Sequence, residues 1–383
     1  VVKTVPYGGR TIAYETWGDP DAHPVFLLHG TPGSRLGPRL RTFDLHKLGV
    51  RLIAYDRPGY GGSSRHPKRR VVDAAEDINA IAEALDLKKY SVVGRSGGAP
   101  HALACAARNL GSQVASVAAL VSLAPPNADD DGLDWHRGMS ESNVSTYDLL
   151  DRHAPDVTEL GALLARNAET IRRDPTLFLA ALRDEMPSVD RVIVEDAGIR
   201  RLLLVNYLSA VGRAEQGAGA TVDPRAPMGW VDDLVAFRSP WGFDLKAIDR
   251  SVPVMLWHGE HDVFAPVAHF RWLARKIPSA KAVLQPSAAH FAALPALPQV
   301  LAWVRDQAGL TTTAVTPPAV AETGDGRTNW LTTLKHSQAH HGQAQPGSRR
   351  SDRVRLQVET AEVPLLEGQH PGVLPADALA QRG

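Results

Sequence analysis

Three short stretches of the chain combine residue types suited to nucleophilic chemistry. Gly94-Arg95-Ser96-Gly97-Gly98 follows the apolar run Tyr90–Val93 and precedes the Ala-rich run Ala99–Ala107. A G-x-S-x-G between a strand and a helix is a sharp turn that lifts the serine hydroxyl above a sheet. Gly94 and Gly98 leave room where side chains would strike the neighbouring strand and helix. The turn also puts the Gly97 N–H at a helix N-terminus, where donors are unsatisfied and negative charge is favoured. Serine is a weak nucleophile at neutral pH, so a base and an orienting carboxylate are required. Asp262 follows the apolar run Val252–Trp257 within His258-Gly259-Glu260-His261-Asp262, and His290 follows Lys281–Leu284 within Pro286-Ser287-Ala288-Ala289-His290. Both stand just past strand ends, so Asp262 is the expected acid and His290 the expected base. His258 and His261 are rival bases and Glu260 a rival acid. His261 is disfavoured because adjacent loop side chains diverge.

A tetrahedral oxyanion needs a second donor beside Gly97 N–H. The run Pro24–Leu28 ends in His29-Gly30-Thr31-Pro32-Gly33-Ser34, whose glycines permit close backbone approach, and the Thr31 N–H is the expected donor. Asp56-Arg57-Pro58-Gly59-Tyr60-Gly61-Gly62-Ser63 reads as a structural loop anchored by Asp56. Arg95, His29 and Trp230 are the candidate substrate contacts.

These residues need elements to hold them. Val2–Tyr7 and Thr11–Trp17 flank Gly8-Gly9, a hairpin signal. Pro24–Leu28, Arg51–Tyr55, Tyr90–Val93 and Val114–Leu123 are apolar runs too short for helices, as expected of strands buried on both faces of a parallel sheet. Val71–Leu87 carries a helical apolar stripe. Strand–helix–strand alternation of this kind predicts a doubly wound α/β sheet. From 127 to 245 the pattern turns helical, through Val157–Asn167, Asp174–Glu185 and Gly198–Val211, and predicts an insertion over one sheet edge. The α/β alternation resumes over 246–310 with strands Val252–Trp257 and Lys281–Leu284 and helices Val267–Lys276 and Pro298–Gln307. Residues 311–383 hold a single aromatic residue, Trp330, and mixed charges without period. Such a segment buries too little apolar surface to offset its ordering entropy, so a disordered tail is expected. Its His336–His341 run reads as solvated tail rather than as a metal site.

Composition narrows the field. Among 383 residues, 42 basic and 42 acidic side chains cancel, so no basic surface points to nucleic acid or to an anionic membrane. Cys105 is the only cysteine, which excludes an internal disulfide and argues against a zinc–thiolate cluster. No apolar run is long enough to span a bilayer, and the start of the sequence lacks the apolar core of a secretory signal. A cytoplasmic protein acting on a small molecule without a cofactor is expected. The oligomeric state is open.

The set HGTPGS, DRPGYGGS, GRSGG, HGEHDVFAP and SAAH resembles the α/β-hydrolase-fold serine hydrolases that carry a helical cap. The resemblance covers the core segments 1–126 and 246–310, with the cap at 127–245 between them. It implies Ser96 as nucleophile, Asp262 as acid, His290 as base, and Thr31 and Gly97 as the oxyanion hole. Members with aspartate at the elbow are disfavoured by the serine here. Arg95 departs from the aromatic, aliphatic or His side chain common at its position. An ion pair with a carboxylate such as a cap Asp is the first reading of it, and a grip on an acidic substrate the second. Ser287-Ala288-Ala289 also replaces glycines common before the base. Aromatic and soft side chains of the cap (Trp135, Met139, Tyr147, Tyr207, Trp230, Phe237, Trp241, Phe243) are divided between cap core and pocket wall. Asp232-Asp233 reads as a solvated helix face, with a substrate-amine contact of the proline-iminopeptidase kind as the alternative. Together these features imply a carboxylesterase for small, largely apolar esters. A proline-iminopeptidase-like amidase and a ligand-binding protein without turnover are the alternatives.

Overall fold

Gly8 and Gly9 adopt φ of 55° and 74° and turn β1 (Lys3–Tyr7) back on β2 (Arg10–Trp17). The computed structural model describes residues 2–109, 113–212 and 227–309, all within the unit Val1–Ala321. The expected disordered tail at 311–383, its His336–His341 run and a second unit, Glu322–Gly383, lie outside the described residues.

Six further strands complete an eight-stranded sheet: β3 (His23–Leu28), β4 (Val50–Tyr55), β5 (Tyr90–Arg95), β6 (Val114–Leu120), β7 (Val254–Gly259) and β8 (Lys281–Gln285). Their order is β1-β2-β4-β3-β5-β6-β7-β8. β2 runs antiparallel to β1 and β4, and the other neighbours are parallel. The inner strands are apolar throughout because both sheet faces are covered. Alternate side chains divide the core. Phe26, Ile53, Tyr55 and Val92 pack with Ile78 and Ile81 of α2 (Ala74–Ala84) and Leu103 of α3 (Gly98–Arg108). Val25, Leu27, Leu52 and Val93 face the other way, against Val300, Leu301 and Val304 of α11 (Leu297–Gln307). α1 (Thr42–Leu48) adds to the second face, and α10 (Val267–Lys276) packs on β7.

Between β6 and β7 the elements described are mainly helices: α4 (Glu141–His153), α5 (Thr158–Arg173), α6 (Pro175–Glu185), α7 (Ser188–Glu195), α8 (Ala197–Ala210) and α9 (Met228–Phe237). The sequence pattern misses α1, α4, α7 and α9. α1 and α7 are short, and α4 buries only Tyr147 and Leu150, too few for a visible stripe. β6 also stops at Leu120, earlier than its apolar run, because Val121 takes φ 48° and its N–H crosses to the Trp257 carbonyl. No helix among the described residues is long and apolar enough to cross a membrane. Parallel strands put the loops after β3, β5, β7 and β8 at one sheet edge, where the groups with chemistry collect.

Candidate active site

Ser96 sits at that edge with φ 55°, a left-handed conformation rare outside glycine and a mark of a constrained turn. Its N–H donates to the Leu120 carbonyl (2.9 Å) and its own carbonyl accepts from Ala99 N–H (2.8 Å). The flanking glycines are needed for close approach. A Cβ on Gly94 would lie 2.2 Å from the Gly98 carbonyl oxygen, and one on Gly98 2.4 Å from that of Leu28. Helix α3 is thereby drawn against β3 and β5, with Gly97 at its N-terminal end.

Two loops then meet the serine. His290 Nε2 is 3.0 Å from Ser96 Oγ, and His290 Nδ1 is 2.8 Å from Asp262 Oδ2. The second Asp262 oxygen accepts the N–H groups of Phe264 and Ala265, each at 2.8 Å, so both carboxylate oxygens are engaged. Burial by itself raises the Asp262 pKa. The His290 imidazole and its hydrogen bond outweigh that and hold the carboxyl below its usual range. Of the rivals, His258 is buried with Nε2 on the Ala265 carbonyl (2.7 Å) and 3.5 Å from Asp262 Oδ2, His261 is exposed, and Glu260 faces Arg271.

Thr31 and Gly97 are brought together: a Cβ on Gly97 would lie 2.2 Å from Thr31 Oγ1. Among the described residues neither backbone N–H has a protein acceptor. Thr31 Oγ1 donates to Asp233 Oδ2 (2.6 Å), and this carboxylate organises the floor of the site. Arg57 and Arg69 pair with it at 2.6 and 2.7 Å, and Tyr60 Oη donates to it at 2.8 Å. Burial opposes its charge, but the two guanidinium groups prevail and keep its pKa well below the carboxylate range. Asp232 is held by Arg65 at 2.8 Å. The expectation of a solvated Asp232-Asp233 face is therefore corrected, since both carboxylates are buried and paired. Neither is left for a substrate amine. α9 is apolar on nearly every side, which marks a buried helix, and that was the overlooked signal.

His29 is a second correction. It is buried, with Nδ1 donating to the Gly30 carbonyl (2.8 Å) and Nε2 accepting the Arg57 N–H (3.1 Å). With both nitrogens used, and a place outside the cavity that Ser96 lines, it makes no substrate contact. Asp56 does anchor its loop, accepting from Arg35 N–H (2.7 Å) and Gly62 N–H (2.9 Å).

The cavity over Ser96 has a volume of about 240 Å³. Trp230, Leu234 and Phe237 of α9, Phe178 of α6, Tyr207 of α8 and Phe264 wall it. Trp230 thus stands where a substrate contact was expected, whereas Trp135 is core, its indole N–H on the Ala124 carbonyl. Phe178 lies edge-on to both Tyr207 (5.1 Å) and Trp230 (5.9 Å), and sequence reasoning passed it over. It also passed over Asp190 of α7, whose Oδ1 accepts the Phe291 N–H (2.8 Å) beside His290. Burial is the main cause that pushes the Asp190 pKa up to about 6. Arg95 lines the cavity but forms no ion pair with a described carboxylate, contrary to the first reading of it.

Comparison with known proteins agrees with this architecture. A non-heme chloroperoxidase of Streptomyces lividans is 36% identical over 119 residues, 31% of this chain and 43% of that protein. A proline iminopeptidase of Arabidopsis thaliana is 35% identical over 98 residues, 25% of this chain and 26% of that one. The chain thus matches less than half the length of these curated relatives. The enol-lactonase of Burkholderia xenovorans LB400 superposes with a TM-score of 0.52 at 17% identity, covering 80% of this chain and 100% of its own, a likeness of fold. The alpha/beta hydrolase fold family model matches residues 23–296, most of the described structure, and the chain belongs to that family.

Proposed function

We propose that the protein is a cofactor-independent serine hydrolase of small, largely apolar carboxylic esters. The observation that carries this reading is the continuous hydrogen-bonded line from Ser96 Oγ through His290 to Asp262, with a left-handed serine beneath a mainly apolar cavity. Ser96 Oγ attacks the ester carbonyl while His290 Nε2 takes its proton. Asp262 fixes the ring with Nδ1–H toward the carboxylate and stabilises the imidazolium. The N–H groups of Gly97 and Thr31 receive the oxyanion, and the dipole of α3 adds to them. His290 returns the proton to the departing alkoxide. Water, deprotonated by the same imidazole, then releases the acid from Ser96. Residues 127–245 act as a cap whose helices wall the cavity over Ser96.

Amide hydrolysis of the proline-iminopeptidase kind would run on the same three residues. It is the weaker reading because Asp232 and Asp233 are both tied to arginines. The test is burst acylation by 4-nitrophenyl butyrate and labelling by a fluorophosphonate, with proline 4-nitroanilide as the amide. Ester turnover and labelling are expected, and Ser96→Ala should abolish both, a loss of about 10⁴-fold or more in kcat. Undiminished turnover by Ser96→Ala would remove the assignment, and a preference for the anilide would transfer it to the amidase reading.

A further inference from the structure

The arginines packed beneath the cavity are matched. Arg57 and Arg69 pair with Asp233, Arg35 with Asp56, and Arg65 with Asp232. Arg95 is not. Its side chain lines the same cavity as Ser96 and His290, partly buried, yet it makes neither an ion pair nor a hydrogen bond with any described residue. Burial pulls its pKa down, and the fields of Tyr207 and Asp190 offset that only in part. An arginine side chain nevertheless stays protonated. The folded chain therefore keeps a positive charge with open donors beside the reacting hydroxyl, an arrangement that calls for a counter-ion.

The surroundings define which counter-ion fits. Among the described residues Arg95 is the only Lys or Arg in the cavity wall. The one carboxylate in that wall, Glu185, accepts a hydrogen bond from Ser142 Oγ at 2.8 Å. A side chain beginning at Gly30 would lie 3.4 Å from Ser96 Cβ and 3.6 Å from Arg95 Nη2. Gly30 keeps that gap open, and a small group placed there touches the nucleophile's side chain and the guanidinium together. One guanidinium matches one carboxylate through two parallel N–H···O bonds, whereas a phosphate dianion would leave charge unmatched.

We propose that Arg95 binds a carboxylate carried by the substrate, so that the ester cleaved at Ser96 is an acidic one, its carboxylate a few bonds from the carbonyl attacked. The proposal rests on the ester-hydrolase reading and narrows it. With a neutral ester the charge stays unpaired, as in the free protein. With an acidic ester it gains a charge-assisted pair. The gain corresponds to a preference of about 10- to 100-fold.

Ethyl hydrogen glutarate and ethyl butyrate, both followed by proton release, form the test pair. The wild-type protein is expected to favour the acidic ester about 10-fold or more in kcat/KM, mainly through KM. Arg95→Gln and Arg95→Met should collapse the ratio of the two kcat/KM values. Gly30→Ala keeps the charge and adds a methyl that meets only ordinary contacts, and it too should lower the ratio by filling the gap. Glutarate should compete with ethyl butyrate in the wild-type protein more strongly than glutaramide does, a readout that needs no variant to fold. Equal rates on the two esters, equal inhibition by glutarate and glutaramide, or a parallel loss on both esters in the variants overturns the proposal and leaves the ester hydrolase standing. Failure of the wild-type protein to turn over either ester or to take up fluorophosphonate overturns both.

Discussion

Asp190 shows how one carboxylate reports on its surroundings. One oxygen holds the Phe291 N–H next to His290, and the other is buried without a partner. Its pKa stands near 6 in the fold against 3.8 for a free side chain. A raised carboxyl binds its proton more tightly in the folded state, so stability falls as pH climbs from about 4 to about 6 and stays lowered above that. Asp190→Asn removes the ionisation and keeps an oxygen for Phe291. The variant should therefore gain about 1–3 kcal/mol relative to wild type between pH 4 and pH 8, read as the difference in denaturant unfolding at the two values. No gain at the higher pH would mean that the carboxylate is solvated after all. Nothing in the sequence around Asp190 singles it out, since it stands between Val189 and Arg191 in a helix of only 8 residues. Ser96, Asp262 and His290 were legible because each follows a strand whose apolar run can be read directly. His29 follows such a strand too, yet its ring turns down onto Gly30 and Arg57, which position in the chain does not reveal.

At the scale of elements, the parallel strands declare themselves by burial on both faces, while the helices between β6 and β7 are read unevenly. α5 and α8 are long enough to read as helices, while α4 buries only Tyr147 and Leu150 and α7 is only 8 residues long. The central Asp232-Asp233 pair made α9 look solvated, because the arginines that neutralise it come from a loop more than a hundred residues earlier. That separation sets a clear expectation for Asp233→Asn. It leaves Arg57 and Arg69 buried without their counter-ion and should destabilise the fold by about 3–5 kcal/mol in chemical denaturation. Because Thr31 Oγ1 also rests on Asp233, fluorophosphonate uptake by the remaining folded protein should slow as well. A change under 1 kcal/mol would show that the arginines find water or another partner.

For the molecule as a whole, the cavity sets the size of what reacts. About 240 Å³ lies below the usual range for drug-sized ligands, so short acyl chains should be preferred. Among 4-nitrophenyl esters, kcat/KM is expected to peak between acetate and butyrate and to decline by octanoate. Phe178→Ala, which takes away the ring facing Tyr207 and Trp230, should move the peak to longer chains, and an unmoved peak would place the acyl group elsewhere. The two walls of this space are held by different contacts. α9 is bolted to the floor through Asp232 and Asp233, and Gly229 sits so close to Gly59 that no side chain fits between them. Across from it, Phe178 meets α9 through aromatic contact with Trp230 and meets α8 through Tyr207. One jamb of the doorway is fixed by buried charge. The other jamb is held by a different chemistry: Phe178 of α6 rests on ring contacts, and Asn206 of α8 accepts the buried Ser34 N–H at 2.8 Å.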